Sequence, residues 1–150
     1  MKIDKSCPVL ITGATGYLAG WVVKYFLEAG FKVHAAIRDV DNKEKRKHLD
    51  RIAKNCNGEI EYFESDLLKN GSYKVAMEGC QIVVHTASPF LLDTKDAKVE
   101  LIDPALNGTT NVLNSVNEIE SVQKVILTSS VAAIYGDAVD SQNIPDHTFD

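Results

Sequence analysis

Two kinds of hydrophobic spacing alternate along the chain. Short apolar runs or apolar–polar alternation, typical of β-strands, occur at 8–12, 32–37, 59–63, 81–86 and 123–129. Helical spacing of apolar positions separates these runs, at 18–27, 43–54, 72–77 and 99–118. The last helix carries one apolar face, formed by Ile102, Ala105, Leu106, Leu113 and Val116. This strand–helix alternation predicts an α/β fold, a doubly wound parallel sheet with helices on both faces.

Composition limits the classes of function. The 150 residues suffice for one domain, and 45% hydrophobic with 25% charged residues excludes a disordered or collagen-like chain. A net charge of −5 argues against nucleic acid and anionic membranes as partners. The three cysteines have no C-x-x-C spacing, and neither they nor the four histidines show metal-ligand spacing. We therefore expect no metal site and a reducing, cytoplasmic location.

A glycine-rich segment follows the first predicted strand and opens the first predicted helix. It reads Thr12-Gly13-Ala14-Thr15-Gly16-Tyr17-Leu18-Ala19-Gly20. In that context the glycines predict a phosphate-binding loop of a Rossmann-type, NAD(P)-binding domain. We expect Gly13 to make the tight turn and Gly16 to let the backbone approach a pyrophosphate, with the N–H groups of Thr15, Gly16, Tyr17 and Leu18 facing the anion. An ordinary glycine-rich turn is the alternative.

The choice between NADP and NAD depends on the end of the second strand. Arg38 stands there, and an arginine at this point favours the 2′-phosphate of NADP, whereas an acidic residue favours NAD. Lys45, one turn further along, would add a second cation. Asp39 keeps an NAD site open, and both cations are alternatively solvated surface charges. We expect NADP, with NAD less favoured.

Five segments together carry a family resemblance that covers essentially the whole chain. They are T-G-A-T-G-Y-L-A, A-A-I-R-D, S-D-L, H-T-A-S-P and L-T-S-S-x-A-A-x-Y-G. In their order and spacing they resemble the extended short-chain dehydrogenases/reductases, nearest the group of dihydroflavonol, cinnamoyl-CoA and aldehyde (methylglyoxal) reductases. The resemblance implies NADP(H)-dependent reduction of an aldehyde or ketone carbonyl in a small-molecule substrate. It also allows a homodimer that pairs through helices such as 99–118.

The same resemblance implies further contacts to the cofactor. Asp66 would accept a hydrogen bond from the adenine amino group, with Leu67 beside the ring. Thr86, Ala87 and Ser88 would line the ribose and nicotinamide side. Ligands of open α/β sheets bind outside the carboxyl ends of the strands, which agrees with these positions. A turn before a helix is the alternative for Asp66 and Leu67.

The resemblance also implies one catalytic group, Ser130. Ser129 and Ser130 stand at the end of the fifth predicted strand. Ser129 would face the cofactor, whereas the hydroxyl of Ser130 would bind the substrate carbonyl and stabilise negative charge on its oxygen. A serine that caps a turn is the alternative. The family also needs a Tyr-x-x-x-Lys pair, in which tyrosine donates the proton and lysine lowers the tyrosine pKa. No tyrosine of this chain has lysine four positions later.

We therefore expect a cofactor-binding domain at 1–135 and, at 136–150, a loop leading toward a catalytic helix that is absent. The chain would be the N-terminal part of a reductase, without its C-terminal strands and substrate domain and inactive in isolation. Two other functions stay open: an NAD-dependent nucleotide-sugar epimerase or dehydratase, and a non-catalytic dinucleotide-binding module. Weaker candidates are His85, near the expected crevice, and Asn107, on the long helix. Cys80 is expected to pack as a small apolar residue.

Overall fold

A computed structural model of the chain describes residues 3–91, 93–130, 133, 139 and 142. The strands are β1 (Val9–Thr12), β2 (Lys32–Ile37), β3 (Glu59–Glu64), β4 (Ile82–His85) and β5 (Lys124–Leu127). The helices are α1 (Tyr17–Glu28), α2 (Lys43–Ala53), α3 (Lys74–Met77) and α4 (Asp103–Glu118), the last preceded by a π-helical turn at Lys98–Ile102. The predicted α/β alternation is confirmed. The predicted loop at 136–150, apart from two positions, lies outside the described residues, as does the boundary at 135.

The five strands form one parallel sheet in the order β3-β2-β1-β4-β5. The chain adds strands first on one side of β1 and then, with β4, on the other. The strand order therefore reverses at the β1–β4 pair, where Thr12 and His85 are register partners. Open α/β sheets bind ligands at the carboxyl ends of strands beside such a reversal.

Each face of the sheet has its own hydrophobic core, because successive side chains of a strand point to opposite faces. Val9 and Ile11 of β1 pack with α1 and α2, whereas Leu10 packs with α3 and α4. All three are buried, as expected for a central strand covered on both sides. Cys80 packs in the second core, as predicted. No helix among the described residues is long and apolar enough to cross a membrane.

The end of α1 fixes where β2 begins. Gly30 has a φ of +83°, its N–H donates to the carbonyl of Leu27 at 3.0 Å, and the N–H of Phe31 donates to that of Phe26, also at 3.0 Å. These two bonds define a Schellman motif, and the rings of Phe26 and Phe31 meet edge to face with their centroids 5.4 Å apart. The helix α1 therefore ends one residue beyond the predicted helical spacing at 18–27.

The predicted apolar face of α4 was largely wrong. Ile102, Leu106 and Leu113 are exposed. Val116 does pack against the hydrophobic core on the sheet face that α3 and α4 cover. The buried positions of α4 are instead Gly108, Asn111, Val112 and Ser115, of which only Val112 is a branched apolar residue. Polar side chains can face the interior there because their hydrogen-bond partners are main-chain groups, which hydrophobic spacing does not detect.

Candidate functional site

A cavity of about 560 Å³ opens at the carboxyl ends of β1, β2, β3 and β4. Its lining includes nine residues that the sequence proposes as cofactor contacts: Gly13, Thr15, Gly16, Arg38, Asp66, Leu67, Thr86, Ala87 and Ser88. Segments far apart in the chain converge here because the parallel topology brings the ends of all these strands to one edge of the sheet.

The remaining proposed residues lie beside the cavity, outside its described lining. Tyr17, which is 87% exposed, and Leu18 stand on the first turn of α1. Lys45 stands on the exposed first turn of α2. Ser129 and Ser130 follow β5 and are exposed. Any contact that these five make to a ligand stays a prediction.

The glycine loop brings the backbone of β1 against the segment after β4. Gly13 has a φ of +62°, and an ideal Cβ there would lie 3.0 Å from both Cα and Cβ of Ala87. Glycine is therefore required twice, by the backbone conformation and by the close approach. This contact forms the floor of the cavity between the ends of β1 and β4.

The N-terminus of α1 has the chemistry of an anion site. Its N-cap residue, Gly16, has no side chain to cap the helix, and its first turn carries no acidic residue. By contrast, the carboxamide oxygen of Asn42 caps α2 by accepting from the N–H of Lys45 at 3.1 Å. The positive end of the α1 dipole is thus left for an external anion.

Thr12, at the end of β1, holds the segment after β4 through hydrogen bonds. Its hydroxyl oxygen accepts from the N–H groups of Thr86 and Ala87, both at 3.1 Å, and Thr86 donates its own hydroxyl to the Thr12 carbonyl at 2.6 Å. His85 also contacts this hydroxyl. The sequence offers His85 near the crevice as a weaker candidate; the structure shows it bonded to Thr12, and any contact to a ligand stays a prediction.

The charges at the end of β2 differ in their availability. One carboxylate oxygen of Asp39 accepts from the N–H groups of Asp41 at 3.0 Å and of Asn42 at 3.2 Å, which shapes the turn into α2. Arg38 is exposed and lines the cavity. The cation therefore faces the cavity, while the neighbouring carboxylate is engaged by the backbone.

The segment after β3 is closed on itself by Ser72. The Ser72 hydroxyl donates to the carbonyl of Asp66 at 2.7 Å and accepts from the N–H of Asp66 at 3.1 Å. One carboxylate oxygen of Asp66 accepts from the N–H of Leu68 at 2.8 Å. The carboxylate is thereby oriented at the rim of the cavity, with its second oxygen available to a ligand donor.

Sequence reasoning missed two residues around this segment. Tyr73 is buried and lines the cavity, and burial together with the charge of Asp66 raises its pKa, so its hydroxyl stays protonated. Asn111 binds the main chain of the segment from α4. Aromatic character alone did not distinguish Tyr73 from a core residue, and no local motif marks Asn111.

The sequence is similar to a known family model and to several known plant proteins. Residues 10–147 match the model of the 3-beta hydroxysteroid dehydrogenase/isomerase family. The chain is 44% identical over 126 residues to cinnamoyl-CoA reductase CAD2 of Medicago truncatula, covering 84% of this chain and 38% of that protein. It is 34% identical over 136 residues to dihydroflavonol 4-reductase of Gerbera hybrida, covering 91% of this chain and 37% of that protein.

Solved structures show the same fold. Gre2 from Candida albicans, in complex with NADPH, superimposes with a TM-score of 0.73 at 32% identity over 86% of this chain. The yeast methylglyoxal/isovaleraldehyde reductase Gre2, also complexed with NADPH, gives 0.72 at 30% identity over 85% of this chain. In both cases the match covers 38% of the other chain. The present chain thus spans about two-fifths of the length of the relatives it matches.

Proposed function

Because the chain belongs to the 3-beta hydroxysteroid dehydrogenase/isomerase family, within the extended short-chain dehydrogenases/reductases, we propose that its cavity binds NADP(H). We further propose that it serves a reductase that converts an aldehyde or ketone carbonyl to an alcohol. The observation that carries the proposal is the pairing, in one cavity, of the uncapped N-terminus of α1 with Arg38.

The residues of the cavity fit the parts of the dinucleotide. The N–H groups from Thr15 to Leu18 hold the pyrophosphate at the helix N-terminus. Arg38 binds the 2′-phosphate, with Lys45 as a second cation, and the engagement of Asp39 by backbone N–H groups supports NADP over NAD.

The two ends of the dinucleotide have separate contacts. Asp66 accepts from the adenine amino group through the oxygen that Leu68 leaves available, and Leu67 packs beside the ring. Thr86, Ala87 and Ser88 line the ribose and nicotinamide side. When bound, the cofactor supplies the hydride for the carbonyl carbon.

Ser130 has the proposed catalytic role in this chain. It follows β5 at the same edge of the sheet, and its hydroxyl donates to the carbonyl oxygen, where negative charge grows during the reaction. The proton that completes the alcohol needs a further donor, and the sequence contains no Tyr-x-x-x-Lys. We therefore expect this chain to bind NADPH and not to turn it over.

Cofactor binding is tested by titrating the chain with NADPH and NADH. We expect tighter binding of NADPH, and Arg38→Ala should weaken NADPH binding about 10- to 100-fold, since a charge-assisted hydrogen bond contributes about 1.5–3 kcal/mol. Arg51→Ala, on the exposed last turn of α2, is the matched control and should leave both affinities unchanged. Tighter binding of NADH would contradict the proposal and favour the epimerase or dehydratase alternative.

Reductase activity is tested on the complete gene product by following NADPH oxidation with aldehydes and ketones. Ser130→Ala should lower kcat about 100-fold, the usual cost of removing one donor from a developing oxyanion. If none of these aldehydes or ketones leads to oxidation of NADPH, the reductase function is contradicted. Turnover by the 150-residue chain alone would contradict the need for a further proton donor.

A further inference from the structure

Asn111 lies in the middle of α4 with only 4% of its surface exposed. Its carboxamide contacts the 66–71 segment, which follows β3. The N–H of Gly71 donates to Oδ1 at 2.9 Å, while Nδ2 donates to the carbonyls of Leu67 at 3.0 Å and Lys69 at 2.9 Å. One side chain therefore bonds three main-chain groups of a single segment at 3.0 Å or less, and Nδ2 makes a longer contact of 3.5 Å to the carbonyl of Asp66.

The bonding pattern is specific to a carboxamide. Both N–H groups of Nδ2 are used on carbonyls, and Oδ1 is used on an N–H, so donors and acceptors match at each contact. A carboxylate of the same shape would keep the bond from Gly71 but would place an acceptor against the carbonyls of Leu67 and Lys69. An apolar side chain would leave all three groups without this partner.

A second observation shows how closely α4 approaches the same segment. An ideal Cβ on Gly108, one turn before Asn111, would lie 3.0 Å from Cβ and 3.1 Å from Cδ2 of Leu67. Only glycine leaves room for this contact without displacing the leucine. Leu67 is thus held by Gly108 at its side chain and by Asn111 at its carbonyl.

We propose that Asn111 is the positioning residue for adenine recognition. By fixing the main chain of the 66–71 segment, it holds the Asp66 carboxylate and the Leu67 side chain where they meet the base. The inference rests on the proposed NADP(H) site. It assigns base discrimination to a residue of α4 that lies behind the segment rather than in the described lining of the cavity.

The test compares NADPH with its hypoxanthine analogue, which lacks the exocyclic amino group that Asp66 would bind. The unaltered chain should bind NADPH about tenfold more tightly than the analogue, the value of one hydrogen bond to a charged acceptor. Asn111→Asp should bring this ratio close to one. Asn114→Asp, at an exposed position of the same helix, makes the same chemical change without touching the segment and should keep the ratio.

Gly108→Ala tests the inference without removing a hydrogen bond. Its Cβ should displace Leu67 while improving helix propensity, so the ratio should fall although the fold is kept, as circular dichroism would verify. An unchanged ratio in Asn111→Asp overturns the role of Asn111, and an unchanged ratio in Gly108→Ala overturns the role of the Leu67 position; both results leave the proposed function standing. A chain that binds neither nucleotide overturns the proposed function, and this inference with it.

Discussion

The hydroxyl oxygen of Thr12 lies 2.7 Å from Nδ1 of His85, across the β1–β4 pair. That oxygen already accepts from the N–H groups of Thr86 and Ala87, so its own proton is the one available to the imidazole. His85 is therefore neutral with its proton on Nε2, which lies 3.5 Å from the Thr109 hydroxyl. Main-chain and side-chain groups of two strands are joined through one hydroxyl.

Two replacements of Thr12 should distinguish how much its shape and its hydrogen bonds each contribute to stability. Thr12→Val keeps the shape but leaves two N–H groups and one imidazole nitrogen without their partner, and we expect the free energy of unfolding to fall by about 2–4 kcal/mol. Thr12→Ser keeps the hydroxyl and should cost less than about 1 kcal/mol. Urea denaturation measures both. Equal losses in the two variants would show that the methyl group, rather than the hydroxyl, matters.

Stability should decrease on mild acidification. Burial lowers the pKa of His85 and of His34 below the ordinary value of 6.5. Below that value the unfolded chain takes up protons that the folded chain does not. The free energy of unfolding therefore decreases as the pH is lowered, until the folded-state pKa values are passed. Each histidine contributes at most about 1.4 kcal/mol per pH unit. Above about pH 7.5 the two histidines should not change the free energy of unfolding as the pH changes.

The contribution of His85 can be isolated. In His85→Asn the amide oxygen can accept from the Thr12 hydroxyl but does not titrate, so the difference in unfolding free energy between about pH 7.5 and 5.5 should shrink. His34 is present in both chains and provides the pH dependence that remains. Its Nδ1 donates to the carbonyl of Ala76 at 2.8 Å, and Glu61, Lys32 and Cys80 lie nearby. An unchanged pH dependence would mean that His85 does not resist protonation.

Gly13 should tolerate alanine less well than another glycine of positive φ. Gly79 has a φ of +72°, but an added Cβ would meet nothing within 4 Å, so Gly79→Ala incurs only the backbone cost, of order 1 kcal/mol. Gly13→Ala incurs this cost and a clash with Ala87, and it should also weaken NADPH binding. Thermal unfolding and titration of both variants measure the difference. Similar losses in the two would indicate that the approach to Ala87 is not needed.

Much of the fold could be predicted because strand signals and topology act locally. The predicted bounds of β2, 32–37, agree with the structure, since its apolar run is bounded by Gly30 on one side and Arg38 on the other. The cavity lining could be predicted for a related reason. Once the strands are parallel, the residues that follow them must meet at one edge, whatever their separation in sequence.

The polar interior of α4 could not be predicted. Asn111 is separated by 40 residues from Gly71, its hydrogen-bond partner, and hydrophobic spacing assigns a polar residue to the surface. The same rule placed Leu106 inside, although it is exposed. Only the approach of α4 to a segment rich in main-chain donors and acceptors decides which face turns inward, and that approach is a tertiary property.

The close approach of Gly13 to Ala87 lies where the cavity opens, between the ends of β1 and β4. Together with the two hydrogen bonds to the Thr12 hydroxyl, it holds the loop after β1 against the segment after β4. The conformational entropy of both loops is then lost during folding rather than when a ligand arrives. Nucleotide binding to such a preorganised edge should be accompanied by little ordering of the backbone, and the amide protons of Thr86 and Ala87 should exchange slowly even in the free protein.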